Sequence, residues 1–140
     1  KKLAFVDKYL FKGHPAISDS IFTKELGKAG IITNENIYDL FPQSEIIITS
    51  AGGTSVEAVA CGLSVIVIGS ADDLMNNTLV EYGKGQIWDF VVTEMDLKDA
   101  YQNLLKYRLE QFEKIEVISS WYRNNFFIEP TKRNISKIFS

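Results

Sequence analysis

Histidine and cysteine are almost missing from this 140-residue chain, which holds one of each, His14 and Cys61. A single cysteine excludes an internal disulfide and a cysteine-based zinc cluster. Within its neighbours Ala58, Val59 and Ala60 it reads as a small buried hydrophobe. Positive charge is not in excess: 15 Lys and Arg stand against 18 Asp and Glu, a net charge of -3. That argues against a nucleic-acid-binding face, which is basic. No apolar run approaches the roughly 20 residues that cross a membrane, and no signal-peptide pattern is visible. These absences point to the cytoplasm. There is no Walker P-loop, no metal-ligand cluster, no Ser-His-Asp order and no obvious acid–base pair of carboxylates. Repeats, low-complexity tracts and linkers are also lacking. The chain starts Lys1-Lys2 rather than with Met, which reads as a fragment or a processed product.

What is present is enough apolar side chain, 46%, for the core of one domain. The most informative stretch is Glu45 to Gly69. Ile46, Ile47 and Ile48 form a β-branched run suited to a buried parallel strand. Ser50 to Ser55 hold two glycines and three hydroxyl residues, a turn whose backbone can approach something closely. Val56 to Cys61 reads as a small-residue helix stopped by Gly62, and Val65 to Ile68 as a second buried strand. A glycine turn opening onto a helix N-terminus gathers N–H groups and the positive end of the dipole at one spot, which suits a phosphate. A packed βαβ crossover with no ligand has the same pattern.

Along the rest of the chain, Tyr9 to Lys12 reads as a strand ending at Gly13-His14-Pro15. Ile17 to Leu26 has helical spacing, and Gly30 to Thr33 is a short strand. Asn34 or Asn36 caps a helix from Ile37 to Phe41. Asp72 to Tyr82 reads as a helix and Ile87 to Val92 as a strand. Thr93, with Asp96 three residues on, starts a helix reaching about Tyr107. Further helices are expected over Gln111–Trp121 and Thr131–Phe139, with Asn124–Pro130 irregular. This alternation implies an α/β fold, a Rossmann-like parallel sheet of about five strands with helices on both faces. Ligands of such sheets bind beyond the C-terminal strand ends. Lys12-Gly-His-Pro15, Ser50–Ser55 and Gly69–Asp73 leave strands at that edge.

Few residues could carry chemistry. His14 is either a structural imidazole or a diphosphate contact, and Lys12 a solvated lysine or its helper. Glu57 is either a first-turn carboxylate complementing the helix dipole or an acceptor for two ribose hydroxyls. Asp72, Asp73, Asn76 and Asn77 crowd one presumed helix start, as caps or as readers of sugar hydroxyls.

Ile46 to Ile68 resembles the donor-binding segment of GT-B glycosyltransferases: a strand, a Ser/Gly-rich turn, Glu-Ala on the next helix, then Gly-x-Pro-Val-Ile. Ser64 stands where that pattern has proline. Lys12-Gly-His-Pro15 is similar to the Lys-x-His-Pro element of bacterial sialyltransferases, CDP-glycerol-dependent transferases and surface-carbohydrate biosynthesis proteins. Asp72-Asp-Leu-Met-Asn-Asn-Thr78 resembles a polar segment of the lipid-linked GlcNAc transferases. The likeness covers most of residues 8–107.

The resemblance implies that residues 1–140 are a single nucleotide-sugar-binding domain, the C-terminal half of a two-domain transferase for bacterial surface polysaccharide or capsule. Ser50, Gly52, Gly53, Thr54 and Ser55 would then hold the donor diphosphate, and Glu57 the ribose. Asn76 and Asn77 would contact the donor. His14, with Lys12 behind it, would help the nucleotide leave. No cofactor or metal is implied beyond the donor substrate. The acceptor, which could sit at a membrane surface, would belong to an absent N-terminal domain or a partner subunit, so this chain alone would be inactive. A nucleotide-sugar epimerase shares the same Gly-Gly and Glu arrangement. A receiver-like regulatory module is disfavoured because the central strand ends at Thr49-Ser50 rather than at aspartate. A structural partner domain also fits.

Overall fold

The structure, a computed structural model, describes residues 3, 5–14, 17, 18, 20, 22, 26, 30–70, 72 and 77–138. The chain divides into two compact units, Lys1–Gln43 and Ser44–Ser140. The class is α/β and Rossmann-like: five strands, all parallel, in a two-stranded and a three-stranded sheet, with helices packing on both faces.

In the first unit, β1 (Tyr9–Phe11) pairs in parallel with β2 (Gly30–Ile32), and Tyr9 lies opposite Gly30. The Tyr9 hydroxyl donates to the Leu26 carbonyl. A Cβ on Gly30 would fall 2.8 Å from the Tyr9 ring, so only glycine fits beneath it. The helix expected over Ile17–Leu26 lies largely outside the described residues. Helix α1 (Ile37–Leu40) continues into a 3₁₀ turn, Phe41–Gln43. Of the two candidate caps, Asn36 is used: its side chain accepts from Tyr38 N–H at 3.0 Å.

The second unit is built on β3 (Ile46–Ser50), β4 (Ser64–Ile68) and β5 (Trp88–Val91), in the order β3-β4-β5. Side chains alternate across a strand, and Ser64, Val65, Ile66 and Val67 are all fully buried, so both faces of β4 are covered. Helix α2 (Gly53–Ala60) packs on β3 and β4. Helix α3 (Glu94–Glu110) packs on β4 and β5, and α4 (Phe112–Phe126) packs on α2 and α3. A short helix, α5 (Lys132–Ile138), follows. The capping box at the start of α3 is formed as expected: the Thr93 hydroxyl accepts from Asp96 N–H at 3.2 Å and lies 2.7 Å from its carboxylate. Helix α4 extends through Phe126, beyond the expected Trp121.

Gly62 ends α2 as expected. Its φ of 85° is in the left-handed region, and it donates to Val59 O while Leu63 donates to Ala58 O, both at 3.0 Å. These two bonds are a Schellman motif. The start of α2 differs from expectation. The helix begins at Gly53, three residues before Val56, and takes Thr54 and Ser55 into its first turn.

A larger correction concerns Asp72–Tyr82. The described residues there, Asp72 and Asn77 to Tyr82, are not helical. Their backbone groups bond elsewhere. Asn77 Oδ1 accepts from Leu79 N–H at 3.1 Å, an Asx turn. The Tyr122 hydroxyl donates to the carbonyls of Val80 and Tyr82, each at 3.0 Å. Trp88 Nε1 also donates to Tyr82 O, at 3.1 Å. With those carbonyls bound from α4 and β5, this segment runs as an anchored loop.

Candidate functional site

Parallel register places the C-terminal ends of β3, β4 and β5 at one edge: Ser50 pairs with Ile68, and Ile68 with Val91. The chain turns from that edge into α2 through Ala51 and Gly52. Gly52 caps the helix without any side-chain cap bond, and the first turn carries no acidic residue. The N–H groups of Gly53 and Thr54 have no acceptor among the described residues. The other end of α2 is compensated. Arg123 Nη1 donates to Ala60 O and Arg108 Nη1 to Gly62 O, both at 2.6 Å. Cations from α4 and α3 thus meet the negative end of the dipole, while its positive end has no capping or acidic side chain among the described residues.

Neither Gly52 nor Gly53 has the left-handed backbone that favours glycine. A Cβ built on either would meet nothing within 4 Å. The absence of side chains here is not required by protein packing. It keeps a cleared backbone surface at the helix start.

Ser55 is in a different position. It is fully buried, and its hydroxyl donates to Gly52 O at 2.6 Å. Thr78 Oγ1 donates to the same carbonyl at 2.7 Å and lies 3.0 Å from Ser55 Oγ. Ser55 N–H also reaches Gly52 O, at 3.2 Å. Ser55 and Thr78 therefore hold the turn in shape, and the Ser55 hydroxyl is turned inward. Thr78 is a site residue that reading the sequence missed. It lies 26 positions from Gly52 and has no local signal. Its bond brings the Asn77–Thr78 segment to the glycine turn. Asn77 is half-buried beside it, its oxygen committed to Leu79 N–H.

Glu57 falls in the second turn of α2, because the helix starts early. The alternative of a first-turn, dipole-complementing carboxylate is thereby removed. Glu57 is half-exposed, with no hydrogen bond or ion pair among the described residues. Helical spacing puts Gly53, Thr54, Glu57 and Cys61 on one edge, and these are the α2-stretch residues left at least partly accessible. Glu57 thus lies about 6 Å along the axis from Gly53, on the same side. Cys61 is exposed, not buried as expected, because it continues this edge rather than the buried stripe.

Of the other expected residues, Ser50 is exposed at the end of β3. Lys12 and His14, both exposed, follow β1 in the first unit. Asn76 and Asp73 lie outside the described residues. Among the described residues, no group of three or more His, Cys, Asp or Glu side chains could hold a metal ion. No helix among them is long and apolar enough to cross a membrane.

Comparison with protein-family models, with curated proteins and with solved structures returns no match. What stands is a generic Rossmann-like α/β module of the nucleotide-binding type.

Proposed function

We propose that the second unit binds a nucleotide-activated sugar, with the diphosphate on the start of α2 and the ribose against Glu57. The observation that carries this reading is the α2 edge. An uncapped helix start with cleared glycines is followed, one turn on, by a carboxylate with no partner among the described residues. An anion suits the first feature, and a hydroxyl donor the second. Gly53 and Thr54 would donate N–H groups to phosphate, while Ser55 and Thr78 act by fixing the Gly52 carbonyl. Asn77, at the same turn, would offer its amide N–H groups to the donor.

On this reading the reaction is glycosyl transfer in bacterial surface polysaccharide synthesis. The bond from the anomeric carbon to the diphosphate breaks as the acceptor oxygen attacks. Charge builds on the departing diphosphate, and N–H donors fixed there before the reaction stabilise it most when that charge is full. The roles of Lys12 and His14 in phosphate contact and departure rest on the resemblance alone. So does placement of the acceptor site on another domain or subunit.

The test is a thermal-shift panel of UDP, CDP, CMP and GDP against the chain and its Glu57→Gln variant. A ligand that binds only the folded state raises the melting temperature by mass action. One diphosphate should raise it clearly more than the others. Losing a charged hydrogen bond costs about 1.5–3 kcal/mol, so Glu57→Gln should weaken that ligand roughly tenfold to hundredfold. A 2′,3′-dideoxy analogue should bind the variant as well as the parent nucleotide does. No shift with any nucleotide, or equal shifts in both proteins, would defeat the proposal.

A further inference from the structure

The two outer edges of the three-stranded sheet are finished differently. Residues along a strand alternate in the side to which their N–H and C=O groups point. Val65 and Gly69 donate to Ile87 O and Val91 O, so Trp88 and Phe90 turn their backbone groups away from β4. That edge is closed by the chain itself. Gly85 N–H donates to Trp88 O at 2.8 Å, Trp88 N–H reaches Gly83 O at 3.4 Å, and Phe90 N–H donates to the Asp89 carboxylate at 2.8 Å. Asp89 also sets a charge on the edge strand, which discourages pairing with another chain.

The β3 edge has none of this. Its register on β4, with Ile48 opposite Ile66, uses Ile47 and Thr49 and leaves Ile46, Ile48 and Ser50 pointing outward. Among the described residues, the one partner of those outward backbone groups is the Thr49 hydroxyl, which donates to Ser50 O at 3.1 Å. The strand carries no charge and no proline. Ile46, Ile47 and Ile48 are half-buried, whereas Val65, Ile66 and Val67 beside them are fully buried. An open, uncharged, apolar edge is a template for another strand.

We infer that β3 pairs with β3 of a second copy of this chain, antiparallel and centred on Ile48. Two-fold symmetry then sets Ile48 opposite the partner's Ile48, and Ile46 opposite the partner's Ser50. Each such pair exchanges both N–H···O bonds, so every outward group of the strand is used. The side chains agree with this register. Ile48 meets its own copy and Ile47 meets the partner's Thr49, so apolar surface is covered on both faces. Glu45, the one charge beside the strand, falls opposite the partner's Ala51 rather than against a like charge. Ala51 leads into α2, whose first turn carries no acidic residue, so this carboxylate comes toward the positive end of a helix dipole. The inference does not depend on the nucleotide reading.

A pairing through one short strand belongs to the weak class of interfaces, so the dimer should fill between about 10 µM and 1 mM. Sedimentation equilibrium over that range tests it. Ile48→Pro removes the central outward N–H, and an edge strand tolerates proline at such a position. Its circular dichroism should be native, and its dimer dissociation constant roughly tenfold to hundredfold higher. Cross-linking reads the register, in a Cys61→Ser background with diamide as oxidant. Ile48→Cys sets two thiols across the symmetry axis and should give a disulfide-linked dimer, whereas Ile47→Cys, opposite Thr49, should not. If the proline variant fails to fold, the cysteine pair decides. The inference is overturned if the chain stays monomeric throughout that range, which leaves the edge to a strand of another protein. It is overturned equally if a folded Ile48→Pro dimerises as the parent does, or if the two cysteine variants cross-link alike.

Discussion

Tyr122 offers the sharpest test of how the second unit is held together. Its side chain is fully buried, and its hydroxyl is the contact through which α4 holds the loop ahead of β5 at Val80 and Tyr82. Burial pushes that hydroxyl up to about 12 from its usual 10, despite the opposing hydrogen bond at Val80. Tyr122→Phe keeps the ring and its stacking on Phe126, 5.4 Å away, and removes only the donor. Tyr82 O keeps a donor in Trp88 Nε1, so the loss falls mainly on Val80 O. The expected cost at neutral pH is about 1–2 kcal/mol. The sign of the pH dependence follows from linkage. Below pH 10 both folded and unfolded chains hold the proton. Between pH 10 and 12 the unfolded chain loses it first, so stability falls as pH rises. Urea unfolding of both proteins from pH 7 to 11 should therefore show the advantage of the parent shrinking through pH 10, while the variant lacks this component. Parallel pH profiles would refute the assignment of Tyr122 as a buried, loop-holding donor.

Two further outcomes follow from the site and the core. Gly53→Ala should leave stability unchanged or raise it by about 0.4–1 kcal/mol, since the backbone is helical and the space empty. It should also weaken nucleoside diphosphate binding in calorimetry, and equal affinity would mean that nothing approaches that backbone. Ser64 is buried in β4, and its hydroxyl has no hydrogen-bond partner among the described residues. Ser64→Ala should accordingly stabilise the fold by about 1 kcal/mol in urea titration, by removing an unsatisfied polar group; a comparable loss would show that the hydroxyl is satisfied in solution.

Much of this molecule was legible in residue order because the forces involved are local. The β-branched runs at Ile46–Ile48 and Val65–Ile68 specify strands, although Ile46–Ile48 are only half-buried where a buried strand was expected and Ile68 is exposed, and Thr93, Asn36 and Gly62 supply caps from within a few residues. The Gly-Gly turn and Glu57 were visible for the same reason. What sequence could not determine is where distant groups would bind. Local pattern alone favours a helix over Asp72–Tyr82. The described part became a loop because Tyr122, about 40 residues away, took its carbonyls. Ser55 looked like a ligand for phosphate until Thr78 and the Gly52 carbonyl enclosed it. The α2 dipole has no capping or acidic side chain at its start among the described residues, and is answered at its other end by Arg108 and Arg123, 46 and 63 residues from their acceptors. A side chain's neighbours in the chain bias its conformation, but which buried carbonyl, hydroxyl or charge it satisfies is decided only when packing brings those groups together.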